Sequence, residues 1–277
     1  MTARWLAQRL AVASTRWIGI RWGESFPFYY VSEYPKSGGS WLAQMVGDYL
    51  QIPVPQNMIL PLGFSCVIQN HWRHDPRLRR VFYLYRDGRD VMVSSYFHFI
   101  RMARHSRGPA PARVRRIYER LFGKGHDSRD IVRHLPRFIA HEFQRPGRGT
   151  RLNWRDHIVS WYRPERRDGI AYLSYEELRR DCVGTLGRAI EKVTGEASDQ
   201  WRLETTVEKM SMKRQTGRDP GQSDPAHHVR KGVVGDWRRY FSREAAEIFN
   251  DLAGETLVRL GYETDRRWID RFEDPIP

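Results

Sequence analysis

Only two cysteines, Cys66 and Cys182, occur in 277 residues. That is too few for a disulfide framework or a cysteine-built zinc site. No apolar run approaches the ~20 residues of a bilayer-spanning helix, so no membrane crossing is expected. Acidic residues are missing before Glu24, and arginines at 4, 9, 16 and 21 interrupt any signal-peptide core. A cytoplasmic location is therefore expected. Internal repeats are also lacking. What the chain does have is 40 % apolar and 13 % aromatic residues, enough for a sizeable core, which excludes a disordered chain. Its length admits two domains or one α/β domain of ~250 residues. Lys plus Arg number 47 against 33 Asp plus Glu, a net charge of +14. Residues 101–150 alone hold 13 Lys plus Arg and 4 Asp plus Glu, hence +9. Such a field attracts phosphate, sulfate, anionic lipid or nucleic acid without naming which. An arginine-rich habit of the genome yields the same composition with no function.

Within the first 23 residues, Trp5, Leu6, Leu10, Ala13, Trp17 and Ile18 recur at near-helical spacing between the arginines. The resulting basic amphipathic helix either packs on the domain or lies on a membrane surface. From Phe26 the rhythm is α/β. Phe28 to Ser32 reads as a buried strand, Trp41 to Leu50 as a helix, and Ser65 to Gln69 and Arg80 to Tyr85 as further strands. A helix is expected from about Val91, a fourth strand at Ile170 to Tyr175, and a final helix capped by Ser242 and stopped at Gly261. Strands alternating with helices predict a central parallel sheet with helices on both faces. The expected organisation is an N-terminal helix or extension over 1–25, one domain over 26–265 with a basic insertion at about 104–150, and a tail over 266–277.

Three segments carry chemistry. The first is Pro35-Lys36-Ser37-Gly38-Gly39-Ser40-Trp41, where a strand ends in a lysine and two glycines and then enters a helix. Backbone N–H groups, the helix dipole and a full positive charge converge there on one anion. A tight turn that merely needs glycine is the plainer reading. The lysine precedes the glycines, unlike the common nucleotide-triphosphate loop. The second segment, Arg86 to Tyr96, puts a forked cation at a strand end and Ser94 eight residues on. In the first turn of a helix begun near Val91, Ser94 faces back toward Arg86, and both reach one phosphate. With Asp87 and Asp90 adjacent, a structural Arg–Asp network is the alternative. The third, Arg230-Lys231-Gly232-Val233-Val234-Gly235-Asp236-Trp237, suits either a loop closing over an anion or a solvated basic loop.

Taken together and in order, PKSGGSW, Arg86 with Ser94, and RKGVVGDW resemble the cytosolic-type sulfotransferases, which use 3′-phosphoadenosine 5′-phosphosulfate (PAPS). That family carries Pro-Lys-Ser-Gly-Thr-Thr-Trp, an Arg with a Ser eight residues later, and Arg-Lys-Gly-x-x-Gly-Asp-Trp. The resemblance spans roughly Val31 to Gly261 and implies a P-loop-like, three-layer α/β fold of the sulfotransferase and nucleotide-kinase kind. It implies that Lys36 and the backbone of Ser37, Gly38, Gly39 and Ser40 hold the 5′-phosphate side of PAPS, with Lys36 neutralising the leaving oxygen. Arg86, Ser94, Arg230, Lys231 and Gly232 would hold the 3′-phosphate. Trp41 and Tyr175 would contact adenine, and Thr205 to Met210 lies in a stretch resembling another adenine-site segment. His71, following a strand, matches the catalytic histidine and would act as general base; His98 corresponds to a structural histidine, and His227 and His228 are weaker candidates.

The implied reaction moves a sulfuryl group to an acceptor hydroxyl or amine by alignment and electrostatics, with no metal. The sequence departs from the family in having Gln69 for a lysine two residues before the histidine, Gly39-Ser40 for Thr-Thr, and Val207 for an aromatic. A nucleotide kinase would want a Gly-Lys-Ser/Thr order and a magnesium carboxylate, and neither is visible. A polyanion- or nucleic-acid-binding module would account for the basic segment but not for the ordered motifs. No nucleic-acid partner is expected. The acceptor, a small molecule or a lipid, is suggested only by the aromatics and arginines of 101–150 and by Trp5 and Trp17.

Overall fold

The computed structural model describes residues 3–23, 25, 28–55, 65–146, 151–163, 169–222, 224 and 231–274; within the first helix the side chains at 3–6, 8 and 9 are outside this set. Arg230, His227 and His228, together with the side chains of Trp5 and Leu6, thus lie outside the described residues.

In chain order the elements are α1 (Ala3–Trp22), β1 (Phe28–Glu33), α2 (Gly39–Leu50), β2 (Cys66–Asn70), β3 (Val81–Tyr85), α3 (Gly88–His105), α4 (Pro109–Phe122), α5 (Ile131–Gln144), α6 (Trp154–Trp161), β4 (Ala171–Ser174), α7 (Tyr175–Arg180), α8 (Cys182–Thr194), α9 (Gln200–Lys209), α10 (Met212–Thr216) and α11 (Arg243–Arg259). Short 3-10 turns occupy Asp236–Arg239 and Arg266–Arg271. The chain divides into two compact units, one of residues 1–85 with 160–217 and one of 86–159 with 218–277.

The first unit holds the sheet, four parallel strands in the order β2-β1-β3-β4. Runs such as FYYV and VFYLY are apolar without alternation because helices cover both faces of a parallel sheet. On one face Val31, Val67, Phe82, Leu84 and Leu173 pack under Leu42 and Val46 of α2, Leu186 and Ile190 of α8 and Leu203 of α9. The other face is aromatic: Tyr83 stacks on Trp161 at 5.0 Å, and Tyr30 lies 6.0 Å from Trp72. Helix α1 packs there too. Its Thr15 is fully buried, and a Cβ at Gly19 would overlap the Tyr30 hydroxyl. The expected parallel α/β architecture is borne out, and the packed form of α1 is one of the two readings left open by sequence. No described helix is long and apolar enough to cross a membrane.

In the second unit, α3 begins at Gly88, three residues before the expected start, because the Asp87 side chain caps it by accepting the Arg89 N–H. Ser94 consequently sits in the second turn, not the first. A Cβ at Gly88 would meet Phe249 of α11 at 2.6 Å and Trp154 of α6 at 2.7 Å, so the helix start is seated on aromatic rings. The described part of the basic stretch, 104–146, includes the end of α3 with α4 and α5, where Tyr96, Tyr118, Phe122, His134 and Phe138 make one aromatic cluster.

Candidate active site

Strand β1 ends at Glu33, and the chain passes through Tyr34 to Gly38 into α2. Two residues of this loop take left-handed backbone, Lys36 at φ 77° and Gly38 at φ 106°. Glycine does this freely, but a lysine is strained by roughly 1–2 kcal/mol, a cost typical of functional loops. Gly38 meets a second constraint, since a Cβ there would lie 2.9 Å from the Tyr175 ring. The N–H of Ser37 donates to the Tyr34 carbonyl, and that of Gly39 donates to the Glu33 carboxylate. Two of the four N–H groups expected to face an anion are therefore engaged within the loop.

His71 follows β2 directly. Its Nδ1 lies 3.1 Å from the Glu33 backbone oxygen. A carbonyl can only accept, so in the neutral ring Nδ1 carries the proton and Nε2 keeps the lone pair. Asn70 braces the strand end, its Oδ1 accepting from the Ser32 hydroxyl at 3.0 Å and the Trp72 N–H at 3.1 Å. Gln69 donates to Glu33 Oε1 at 2.8 Å and accepts from the Ser40 hydroxyl at 3.1 Å.

Trp41, in the first turn of α2, donates its indole N–H to the Met210 carbonyl at 2.9 Å. Its ring stands edge-on to Tyr175 with centroids 6.2 Å apart, and the Arg179 guanidinium lies 5.8 Å from it. Tyr175 opens α7 instead of ending β4, because Ser174 and Glu177 form a capping box that stops the strand. Trp41, Tyr175 and Met210 are thus brought together, with Arg179 added. Thr205 is exposed and back-bonds to the Trp201 carbonyl; its neighbour Thr206 is the buried one, on Asp48.

In the second unit the buried carboxylate of Asp90 is the organiser. It accepts the N–H groups of Gly235 at 2.8 Å and Trp237 at 2.9 Å, and pairs with the Arg86 guanidinium at 3.3 Å. Arg86 also donates to the Val233 carbonyl at 3.0 Å. One helical turn beyond Asp90, half-buried Ser94 shares its face of α3. Burial raises the Asp90 pKa, while Arg86 and the two backbone N–H groups oppose that shift. Lys231 pairs with Asp236 at 2.6 Å, and Gly232 takes φ 62°. The Arg–Asp pairing foreseen as an alternative is thus present on Arg86 itself, through Asp90, and a second Arg–Asp pair is made by Arg89. That side chain is buried between Trp237 and Trp268 and is bound by Asp87 and Glu263.

Sequence reasoning missed Glu33, Asn70, Asp236 and Arg179, whereas Asp90 was foreseen as a partner of Arg86. Asp236 lies inside a quoted motif and could have been suspected as a partner of the cations beside it. Glu33 carries no such local signal, as its partners are 6 and 36 residues away.

The parallel sheet thus sets the Lys36 loop at the end of β1 and His71 at the end of the neighbouring β2. A family model described as "Sulfotransferase domain" matches residues 68–261, and the chain belongs to that family. It is 26 % identical over 276 residues to human sulfotransferase 2A1, covering 83 % of this chain and 84 % of that one. Dog sulfotransferase 1B1 is 24 % identical over 274 residues, with 82 % and 84 % covered. Among solved structures, mouse sulfotransferase SULT7A1 complexed with PAP superposes at a TM-score of 0.60 with 19 % identity over 90 % of each chain. Retinol dehydratase in complex with androsterone and the inactive cofactor PAP gives 0.54 with 16 % identity, over 83 % of this chain and 80 % of that one. The sulfotransferase resemblance and the fold it implied are both borne out.

Proposed function

We propose that this sulfotransferase takes its sulfuryl group from PAPS and passes it to the hydroxyl, or amine, of a small-molecule or lipid acceptor. His71 is the general base and Lys36 stabilises the leaving 5′-phosphate. The observation that carries the reading is the His71 tautomer. With Nδ1–H held by the Glu33 carbonyl, Nε2 has its lone pair available for the acceptor proton. As that proton moves to Nε2, the acceptor oxygen or nitrogen bonds to sulfur and the bond from sulfur to the 5′-phosphate oxygen breaks in line. The products are a sulfate ester, or a sulfamate from an amine, and adenosine 3′,5′-bisphosphate. Little covalent work falls to the protein, and placement and charge supply the rate. The strained Lys36 and the Gly38 turn fit a phosphosulfate, Trp41 and Tyr175 fit a purine, and Arg86, Ser94, Arg230, Lys231 and Gly232 are assigned the 3′-phosphate.

The test is His71→Ala, assayed with labelled PAPS and a cell extract as the acceptor mixture. Turnover should fall by about 10²- to 10⁴-fold, with the affinity for adenosine 3′,5′-bisphosphate unchanged. Parental turnover would show that another group takes the proton.

Helix α1 supports a peripheral contact with anionic lipid. Leu10 and Trp17 are 61 % and 59 % exposed, Trp22 is 40 % exposed, and the first 23 residues carry four arginines and no acid. Flotation with phosphatidylserine-containing vesicles should exceed that with phosphatidylcholine alone, and Trp17→Ser should reduce it. Equal binding to both compositions would count against the contact.

A further inference from the structure

The Glu33 side chain is 2 % exposed, yet it sits at the base of the anion loop and meets three elements of the machinery at once. One oxygen accepts the Gly39 N–H, the first of α2, and the other accepts the Gln69 side-chain amide at 2.8 Å. Its backbone oxygen takes the His71 imidazole. As a carboxylate it only accepts, which turns the Gln69 NH₂ toward it and leaves Gln69 Oε1 for the Ser40 hydroxyl at 3.1 Å. A Cβ at residue 39 would overlap this carboxyl group. Glycine at 39 and glutamine at 69, two of the positions where the loop and the histidine strand depart from the family, are therefore both neighbours of Glu33.

We propose that Glu33 is a positioning residue for sulfuryl transfer: its carboxylate fixes the anion loop through Gly39 and the Gln69–Ser40 pair, setting the loop's aim at the donor's 5′-phosphate. The chain of donors and acceptors runs from Ser40 to Gln69 to Glu33, with Gly39 closing it; the Glu33 carboxylate can only accept, whereas the Ser40 hydroxyl can donate or accept. Glu33→Leu removes both acceptors from the Gly39 N–H and the Gln69 amide, whereas Glu33→Gln alone is accommodated by turning the Gln69 amide over onto the Ser40 hydroxyl. Gln69→Glu breaks the chain by setting two carboxylates against each other. The double variant E33Q/Q69E restores it: the amide placed at position 33 accepts from Gly39 and donates to the carboxylate placed at position 69, which still accepts from Ser40.

The proposal rests on the PAPS reading, and calorimetry with two ligands separates them. Adenosine 3′,5′-bisphosphate meets the loop with its 5′-phosphate, whereas adenosine 3′-phosphate does not. If the parent protein binds both equally, the PAPS reading itself fails. Given a parental preference for the bisphosphate, E33L and Q69E should each weaken that ligand by about tenfold and leave the 3′-phosphate unchanged, with E33Q/Q69E recovering to within about threefold. Should E33L not fold, Q69E carries the same comparison against the double variant. Equal losses for the two ligands, or a double variant no better than Q69E, would overturn the proposal.

Discussion

At Lys36 two requirements conflict. The loop needs left-handed backbone at the residue that also supplies the charge, and a side chain there costs about 1–2 kcal/mol. Lys36→Gly should therefore be more stable than Lys36→Ala by about 1 kcal/mol in urea unfolding, while both lose sulfuryl transfer. Equal stability of the two variants would mean that the backbone carries no strain at this position. The charge and the two glycines were legible because they are contiguous. Glu33 was not, since in sequence it is only the last residue of a strand, and its meaning comes from Gln69 arriving on the neighbouring strand.

At the scale of elements, patterning located all four strands and the last helix, while boundaries moved where a side chain capped a helix. Asp87 pulled the start of α3 forward, and Ser174 with Glu177 converted Tyr175 from strand end to helix start. Capping is a local signal, but it competes with hydrophobic runs that continue through it, as VFYLY runs straight toward Arg86. The basic stretch 101–150 gave no motif, because α4 and α5 turn inward on rings that have no fixed spacing. His134 of α5 is the sensitive point of that cluster. It stacks on Phe122 at 4.2 Å and shares a 2.7 Å hydrogen bond with the Tyr96 hydroxyl of α3. Burial lowers its pKa, helped by His126 and Arg133 and opposed by Asp130 and Asp127. A histidine whose folded pKa lies below the unfolded value of about 6.5 binds fewer protons folded than unfolded. Its contribution is thus present above about pH 6.5 and is lost as pH falls through the lowered value. The urea midpoint should drop between about pH 7.5 and 5.5, and His134→Asn should flatten that drop. An unchanged pH profile in the variant would place the titration elsewhere.

For the whole molecule, the two candidate anion sets belong to different compact units. Lys36, Trp41, His71 and Tyr175 are in the unit that holds the sheet, while Arg86, Ser94 and Lys231 are in the other. A buried carboxylate stands beside each set: Glu33 holds Gly39 and Gln69 in one, and Asp90 holds Arg86 and the Gly235 and Trp237 N–H groups in the other. On the proposed assignment, a nucleotide with 3′- and 5′-phosphates has a phosphate for each set, whereas 5′-AMP, ADP and adenosine 3′-phosphate each have one for a single set. Ligand binding to the folded state alone stabilises it by RT ln(1 + [L]/Kd), about 2.7 kcal/mol at a hundred times Kd. At equal concentration adenosine 3′,5′-bisphosphate should therefore raise Tm well beyond any of the single-position nucleotides. Because the sets lie in separate units, the two contributions should also come apart by mutation. Lys36→Ala should bring the bisphosphate down to the shift given by adenosine 3′-phosphate, and Arg86→Ala should bring it down to that of 5′-AMP. If both variants lose the response to all four nucleotides together, the two sets do not bind opposite ends of one ligand.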